Sequence, residues 1–354
     1  MSNTMRALVF KEIGRTAVME KPIPEPGPEE AVIRTTAALI CTSDVHTVKG
    51  ALPVPADRTL GHESVGVVHR LGSAVTGFTE GQRVAVNAVT PCYRCSYCQR
   101  GFTSQCGGPL GGYKYTGQID GNMAEYFIVP AAQANLAPIP DDVTDEQAVY
   151  ACDMLSTGFM GAEHAQLQFG ETVAIFAQGP VGLCATMGAN LMGAGQIIAV
   201  EARPERQELA KRFGADTIVD FTQGDPVEQI MDLTGGEGVD AAIEAFGFPQ
   251  TFEACVRVTK AGGRVSNIGY HGENPNPLQL PLDAIGLGMN DKTIHTGLCP
   301  GGSERMTRFF RLLQSGRIDP TPMTTHRFGF DDIERAFDMM SSKEDGVIKP
   351  LITF

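Results

Sequence analysis

Up to about residue 150 the chain is a succession of short apolar runs broken by turn signals. Residues 31–37, 64–69 and 83–88 read as strands, divided by turns such as Pro26-Gly27 and Thr79-Glu80-Gly81. This is the pattern of a β-rich domain. From about Glu171 it switches to strands alternating with helices. Residues 172–177 (TVAIFA) form a continuous apolar run, as a strand buried on both faces requires. Further strands are expected at 197–200, 217–219, 239–245 and 264–268. Helices are expected at 180–192, 204–213, 227–233 and 250–258, the second stopped by Gly214. Such alternation implies crossover units, a parallel sheet and helices on both of its faces. After Lys292 the texture changes again, and amphipathic helices around 304–314 and 330–340 suit a segment that folds back on the first domain. The expected fold class is α/β, with a β-rich domain over 1–156, a doubly wound domain over 157–297 and a return over 298–354.

A length of 354 residues agrees with two domains, since it exceeds what one core usually organises. With 42% hydrophobic and 19% charged residues the composition is that of an ordinary globular protein. A net charge of −13 sets an acidic surface against nucleic acid and anionic membrane as partners. No apolar run approaches the ~20 residues of a membrane span, and residues 1–20 lack the apolar core of a secretory signal. A cytoplasmic protein is expected.

Nine cysteines, an odd number, argue against a disulfide framework and for metal binding with some buried thiols. Cys92, Cys95, Cys98 and Cys106 give the spacing C-x2-C-x2-C-x7-C. Four thiolates fill a tetrahedral zinc completely, so such a site is structural, and Gly101, Gly107 and Gly108 allow the turns it needs. An iron–sulfur cluster is the rival for the same donors. Elsewhere, Cys41 precedes Thr42-Ser43-Asp44, and Gly61-His62-Glu63 follows about twenty residues later. One thiolate and one imidazole suit zinc, and a third ligand with the fourth position open would make that site catalytic. Asp153 is the candidate third ligand. Cys152 beside it is an alternative that residue chemistry alone does not separate. Taken singly, each of these side chains is more often core than ligand. The second His that a metalloprotease helix would carry after His62-Glu63 is missing.

Ala177-Gln178-Gly179-Pro180-Val181-Gly182 follows a buried strand and opens a helix. Gly179 would let the backbone approach a pyrophosphate, Gly182 would allow close helix–strand packing, and the helix N-terminus would face the phosphate charge. The first glycine of the usual fingerprint is Ala177 here. Glu201 ends the second strand 19 residues beyond Gly182, where an acidic residue grips the adenosine ribose of NAD. A carboxylate there repels a 2′-phosphate, so NAD is favoured. Arg203 keeps weaker NADP use open. Gly269, Tyr270 and Lys349 are further cofactor-binding candidates.

Gly61-His62-Glu63-Ser64-Val65-Gly66, with Gly72 and Val75, resembles the zinc signature of the medium-chain alcohol dehydrogenases. Cys41 to Val48, Thr157-Gly158-Phe159, Gly179 to Leu183 and Gly297-Leu298-Cys299-Pro300-Gly301-Gly302 are similar to the bacterial secondary-alcohol group of that family. The likeness runs from Met5 to the C-terminus. It implies a GroES-like catalytic domain and a Rossmann cofactor domain. It also implies a catalytic zinc on Cys41, His62 and Asp153 with Glu63 able to approach it, and a homotetramer. Two features depart from that group: the cysteine lobe is complete, and Glu201-Ala202-Arg203 replaces the small or polar strand end of the NADP-using members.

The chemistry implied is Lewis-acid activation of an alcohol by zinc, with hydride passing to the nicotinamide ring. The proton would leave through Ser43 and the cofactor ribose towards His46. Small side chains at Ser43, Ala151 and Gly158 would leave room for a secondary alcohol or its ketone. A zinc-dependent polyol, diol or formaldehyde dehydrogenase is the alternative within the family. A zinc-free reductase would lack both metal sites, and a lens-type structural protein would have lost Cys41, His62 or the dinucleotide loop. His69, His164, His271, His295 and His326 have no motif around them and read as structural.

Overall fold

A computed structural model of the chain describes residues 3–272 and 277–354. Two compact units emerge, Met1–Ser156 with Cys299–Phe354, and Thr157–Leu298. Among the described residues no helix is long and apolar enough to cross a membrane.

In the first unit β1 (Thr4–Glu12) pairs with β2 (Arg15–Pro22) and, on its other side, with β4 (Arg58–Thr59). The main sheet is built on β3 (Ala31–Leu39), which pairs antiparallel with β5 (Ser64–Leu71), β7 (Tyr126–Val129) and β16 (Lys349–Thr353). It continues from β5 through β6 (Arg83–Val86) to β8 (Leu136–Pro138), and β15 (Thr324–Gly329) closes the other edge beside β16. The C-terminal segment belongs here because its helix Ile333–Ser342 buries Ile333, Ala336, Phe337 and Met340 against Leu8, Ile40, Val45 and Leu60. Each large side chain buried in this way contributes about 1.5–3 kcal/mol relative to exposure.

The second unit holds β9 (Thr172–Phe176), β10 (Gln196–Val200), β11 (Thr217–Val219), β12 (Val239–Glu244), β13 (Thr259–Asn267) and β14 (Thr293–Thr296). They form one parallel sheet in the order β11-β10-β9-β12-β13-β14. The order reverses between β9 and β12, and a doubly wound sheet takes its ligand outside the strand ends at that point. Helices Pro180–Leu191, Pro204–Arg212, Pro226–Leu233 and Pro249–Val258 each open on a proline, which is preset for a first helical turn.

Among the elements that differ from the sequence expectation or were absent from it, such as the helix Met154–His164, three are instructive. β13 starts five residues early, at Thr259, through an irregular pairing between Val239 and Ala241 of β12. The helix expected at 330–340 is a single 3₁₀ turn, Phe330–Asp332, followed by Ile333–Ser342. β14 went unpredicted, because Thr293-Ile294-His295-Thr296 is an edge strand with one apolar residue and little burial.

Ala177 directly follows β9 with φ +71, the left-handed conformation that the first fingerprint glycine usually supplies. A Cβ on Gly182 would lie 1.8 Å from the Ala177 carbonyl oxygen. Gly182→Ala is therefore expected to destabilise the protein by about 3 kcal/mol. In Ala177→Gly, relief of ~1 kcal/mol of left-handed strain and the greater flexibility of glycine roughly cancel. Denaturant midpoints read the contrast, and equal loss in the two variants would contradict it.

Candidate metal centres and cofactor loop

Cys41, two residues beyond β3, is extended and caps the helix Thr42–Val48. Asp44, in the first turn, accepts the Cys41 N–H on Oδ2 at 3.0 Å. Its other oxygen, Oδ1, accepts the Gly61 N–H at 3.2 Å and faces His62 Nδ1 at 3.2 Å. One buried carboxylate thus orients two candidate ligands, 21 residues apart in sequence (62 − 41). Such a contact fixes the proton on Nδ1 and leaves Nε2 for a metal. Nε2 lies 3.7 Å from Glu63 Oε1 and 3.6 Å from Asp153 Oδ2. Ligand atoms of Cys41, His62, Glu63 and Asp153 all fall within 4.8 Å of one another.

The donor set fits zinc. A thiolate, an imidazole and carboxylates are its ordinary ligands, and the Glu63 Oε2 atom is buried with no partner among the described residues. The electrostatics are those of a cation site. Burial pushes the His62 imidazolium pKa down, but Tyr113, Asp44 and Asp153 outweigh it and hold it well above the ordinary histidine range. Lys349 is fully buried, and its ammonium donates to Glu63 Oε1 at 2.7 Å and to the Ile40 carbonyl at 3.2 Å. Burial works against that charge, but Cys41, Glu63 and Asp153 hold its pKa above that of an ordinary lysine.

Cys152, the rival third ligand, turns away. Its thiol donates to the Ser64 carbonyl at 3.4 Å, and burial raises its pKa. Asp153 has one oxygen towards His62, and the Cys299 thiol donates to the other at 3.6 Å. Ser43 Oγ is 3.2 Å from His62 Nε2, and His46 lies half-buried in the last turn of the same helix. Lys349, taken from sequence as a cofactor contact, has its ammonium on Glu63. Gly158 is small for another reason than substrate room: a Cβ there would meet Cys184 Cβ at 2.3 Å, within the second unit.

Cys92, Cys95, Cys98 and Cys106 bring their sulfurs within 4.8 Å of one another. Gly101, Gly107 and Gly108 have φ of +91, +79 and +151. N–H groups of Cys98 and Gly107 draw the Cys95 thiol down to about 6, whereas burial and Cys95 push Cys98 up to about 12. Backbone donors aimed at sulfur suit thiolates, so this set also fits a metal with no open position. None of the nine cysteines is in a disulfide. His69, His164, His271, His295 and His326 lie outside both clusters.

In the second unit Gly179 caps the helix Pro180–Leu191, and Val181 and Gly182 follow in its first turn. A Cβ on Gly179 would meet nothing nearer than Arg206 Nη1 at 4.0 Å, so the turn is open to a phosphate. Glu201 is buried at the end of β10. Its Oε1 accepts the N–H groups of Ala202 at 2.9 Å and Arg203 at 3.0 Å, and Oε2 accepts Gln178 N–H at 3.1 Å. Arg206 Nη1 stands 3.6 Å from Oε2. Sequence reasoning missed Arg206, which reads as one more charge on a solvated helix. Gly269 approaches the buried carboxylate of Glu244 so closely that a Cβ would lie 2.1 Å from its Oε2, and Tyr270, which follows it, is exposed.

Residues 27–141 match the family described as alcohol dehydrogenase GroES-like domain, and residues 180–315 match zinc-binding dehydrogenase. Together they define an oxidoreductase that uses zinc and a nicotinamide cofactor. The chain belongs to the zinc-dependent medium-chain alcohol dehydrogenases, near the isopropanol dehydrogenases. It is 47% identical to an alcohol dehydrogenase of Cupriavidus necator over 363 residues, covering 99% of this chain and 98% of that one. It is 45% identical to the NADP-dependent isopropanol dehydrogenase of Thermoanaerobacter brockii, covering 98% and 99%. Among solved structures, alcohol dehydrogenase TADH from Thermus sp. ATN1 superposes with a TM-score of 0.89 at 32% identity, covering 99% of both chains.

Proposed function

We propose that this alcohol dehydrogenase oxidises small secondary alcohols to ketones, reversibly, with NAD in preference to NADP. In this reading Cys41, His62 and Asp153 hold the catalytic zinc, with Glu63 in reach of it, and the four-cysteine lobe holds a structural zinc. The observation that carries it is the convergence of thiolate, imidazole and carboxylates around one buried point, with Asp44 behind the imidazole. When bound, zinc supplies Lewis-acid polarisation of the alcohol oxygen, and nicotinamide accepts the hydride. The protein's part is positional. Asp44 sets the His62 tautomer, and Lys349 offsets the charge of Glu63.

Ser43 is the proton-relay residue of this reading. Its hydroxyl sits on the metal-facing side of His62, and His46 lies three residues on, along one helix face. Ser43→Ala is expected to lower kcat by about a hundredfold, the lower end for lost acid–base assistance, with zinc content unchanged. His46→Gln should slow the reaction most at low pH, where external base is scarce. An unaltered kcat for Ser43→Ala across the pH range removes the relay.

NAD preference rests on Glu201. A carboxylate has about four acceptor positions, and three are taken by backbone N–H groups, so Oε2 retains one for a ribose hydroxyl. Similar isopropanol dehydrogenases are named as NADP-dependent, and kcat/KM measured with NAD and with NADP tests the preference here. Secondary-alcohol preference rests on those same relatives and on the small Ser43 side chain. One methylene is worth only ~1–3 kcal/mol in an apolar pocket, so primary alcohols, diols and aromatic alcohols overlap as substrates. Propan-2-ol should exceed propan-1-ol in kcat/KM at saturating NAD. A tenfold preference for the primary alcohol, ~1.4 kcal/mol, overturns this assignment and leaves the alcohol dehydrogenase activity standing. A cytoplasmic homotetramer completes the proposal, and a dimer in light scattering contradicts its assembly.

A further inference from the structure

The lobe residues reach the other metal cluster along two short paths. On the first, Gly112 gives its N–H to the Ser104 carbonyl at 3.0 Å, inside the lobe, and accepts the Thr90 N–H at 2.8 Å. A Cβ on Gly112 would meet the Ser104 and Thr103 carbonyl oxygens at 2.8 Å, so only glycine fits this approach. The next residue, Tyr113, sets its ring edge-on to His62 at 5.2 Å between centroids, with its hydroxyl oxygen 3.1 Å from Nδ1. The Nδ1–H therefore has a second acceptor besides Asp44.

The second path starts from Tyr93 and Thr103, also within the lobe. The Tyr93 hydroxyl donates to the Gly301 carbonyl at 2.8 Å, and the Gly301 N–H donates to Thr103 Oγ1 at 3.3 Å. Two residues earlier, the buried Cys299 thiol donates to Asp153 Oδ1 at 3.6 Å. Ser156 Oγ holds the intervening Pro300 carbonyl at 3.2 Å. Each path has the same form: a glycine with both backbone polar groups engaged, then a side chain on a metal-site residue.

We propose that the four-cysteine lobe positions the catalytic metal ligands, through Tyr113 on His62 and Cys299 on Asp153, so that loading the lobe tightens metal retention at the other site. This rests on the ligand sets proposed above. Contacts behind metal ligands typically change metal affinity by 10–100-fold, and here they hang from a loop whose shape depends on its own ion. Tyr113 and Cys299 are positioning residues. No proton or electron moves through them.

The test is zinc release from the two-zinc enzyme to a chromophoric chelator, followed as two kinetic phases. The phase absent from His62→Gln is the catalytic one. Tyr113→Phe and Cys299→Ala each leave all four lobe thiolates in place. Both should speed the catalytic phase about tenfold, with the lobe phase and melting temperature unmoved. Cys95→Ser, where circular dichroism shows it folded, should speed the catalytic phase at least as much. Catalytic phases within twofold of the parent in Tyr113→Phe and Cys299→Ala overturn the coupling while leaving the ligand assignment intact. Absence of any His62-dependent phase overturns the ligand assignment, and the coupling with it.

Discussion

A His62→Gln enzyme is expected to lose alcohol oxidation by three to four powers of ten while remaining folded. The loss follows from the metal. Without the imidazole, Cys41 and Asp153 keep too few donors for a tight tetrahedral site, and Lewis-acid stabilisation worth several kcal/mol goes with the ion; at 1.36 kcal/mol per tenfold this gives the expected range. The fold survives for a local reason. Asp44 keeps its N–H partners from Cys41 and Gly61, so the substitution strands no buried charge, and a glutamine amide can still donate to it. Cys95→Ser should behave in the opposite way. Loss of a closed four-thiolate site removes folding free energy outright, and a loss of ~3 kcal/mol lowers the melting temperature by about 10 °C. Assayed with excess zinc well below that temperature, the variant should keep most of its turnover. Elemental analysis should find two zinc ions per parent subunit and one in each variant. Equal unfolding of both variants would end this division of roles.

Changing Glu201→Gly should move cofactor preference towards NADP by about a hundredfold in the ratio of kcat/KM values. The carboxylate now occupies a place surrounded by donors: N–H groups of Gln178, Ala202 and Arg203, with the Arg206 guanidinium 3.6 Å away. Deleting it removes repulsion of a 2′-phosphate and frees those donors for an anion. A hydrogen bond to a charged group contributes ~1.5–3 kcal/mol, and a hundredfold change in ratio is about 2.7 kcal/mol. Arg206 makes a second variant informative. Its Nε is buried without a partner among the described residues, and burial lowers its pKa. In the Glu201→Gly background, Arg206→Gln should return much of the gained NADP use. An unaltered enzyme that already prefers NADP would show that the strand-end carboxylate does not discriminate.

The sequence by itself determined what depends on near neighbours. Four cysteines within 15 residues (106 − 92 + 1) leave a short loop little choice but to gather them, and the thiolate lobe was legible from spacing alone. The turn from Ala177 to Gly182 was legible for the same reason, as was the strand–helix alternation around it. Even there, the residue standing in for a fingerprint glycine takes the glycine's left-handed conformation, because the turn imposes it. The tertiary structure decided everything that turns on side-chain direction or distant partners. Asp153 and Cys152 are adjacent and equally plausible as ligands in one dimension, but the turn at Tyr150–Cys152 aims the thiol at Ser64 and leaves the carboxylate for His62. β14 joined the sheet with one apolar residue, since an edge strand needs backbone partners more than buried side chains. Arg206 looked like surface charge until Glu201 stood beside it. Lys349 and Glu63 are 286 residues apart, and no local pattern marks a lysine whose charge is tolerated in the interior only because the fold delivers a carboxylate to it.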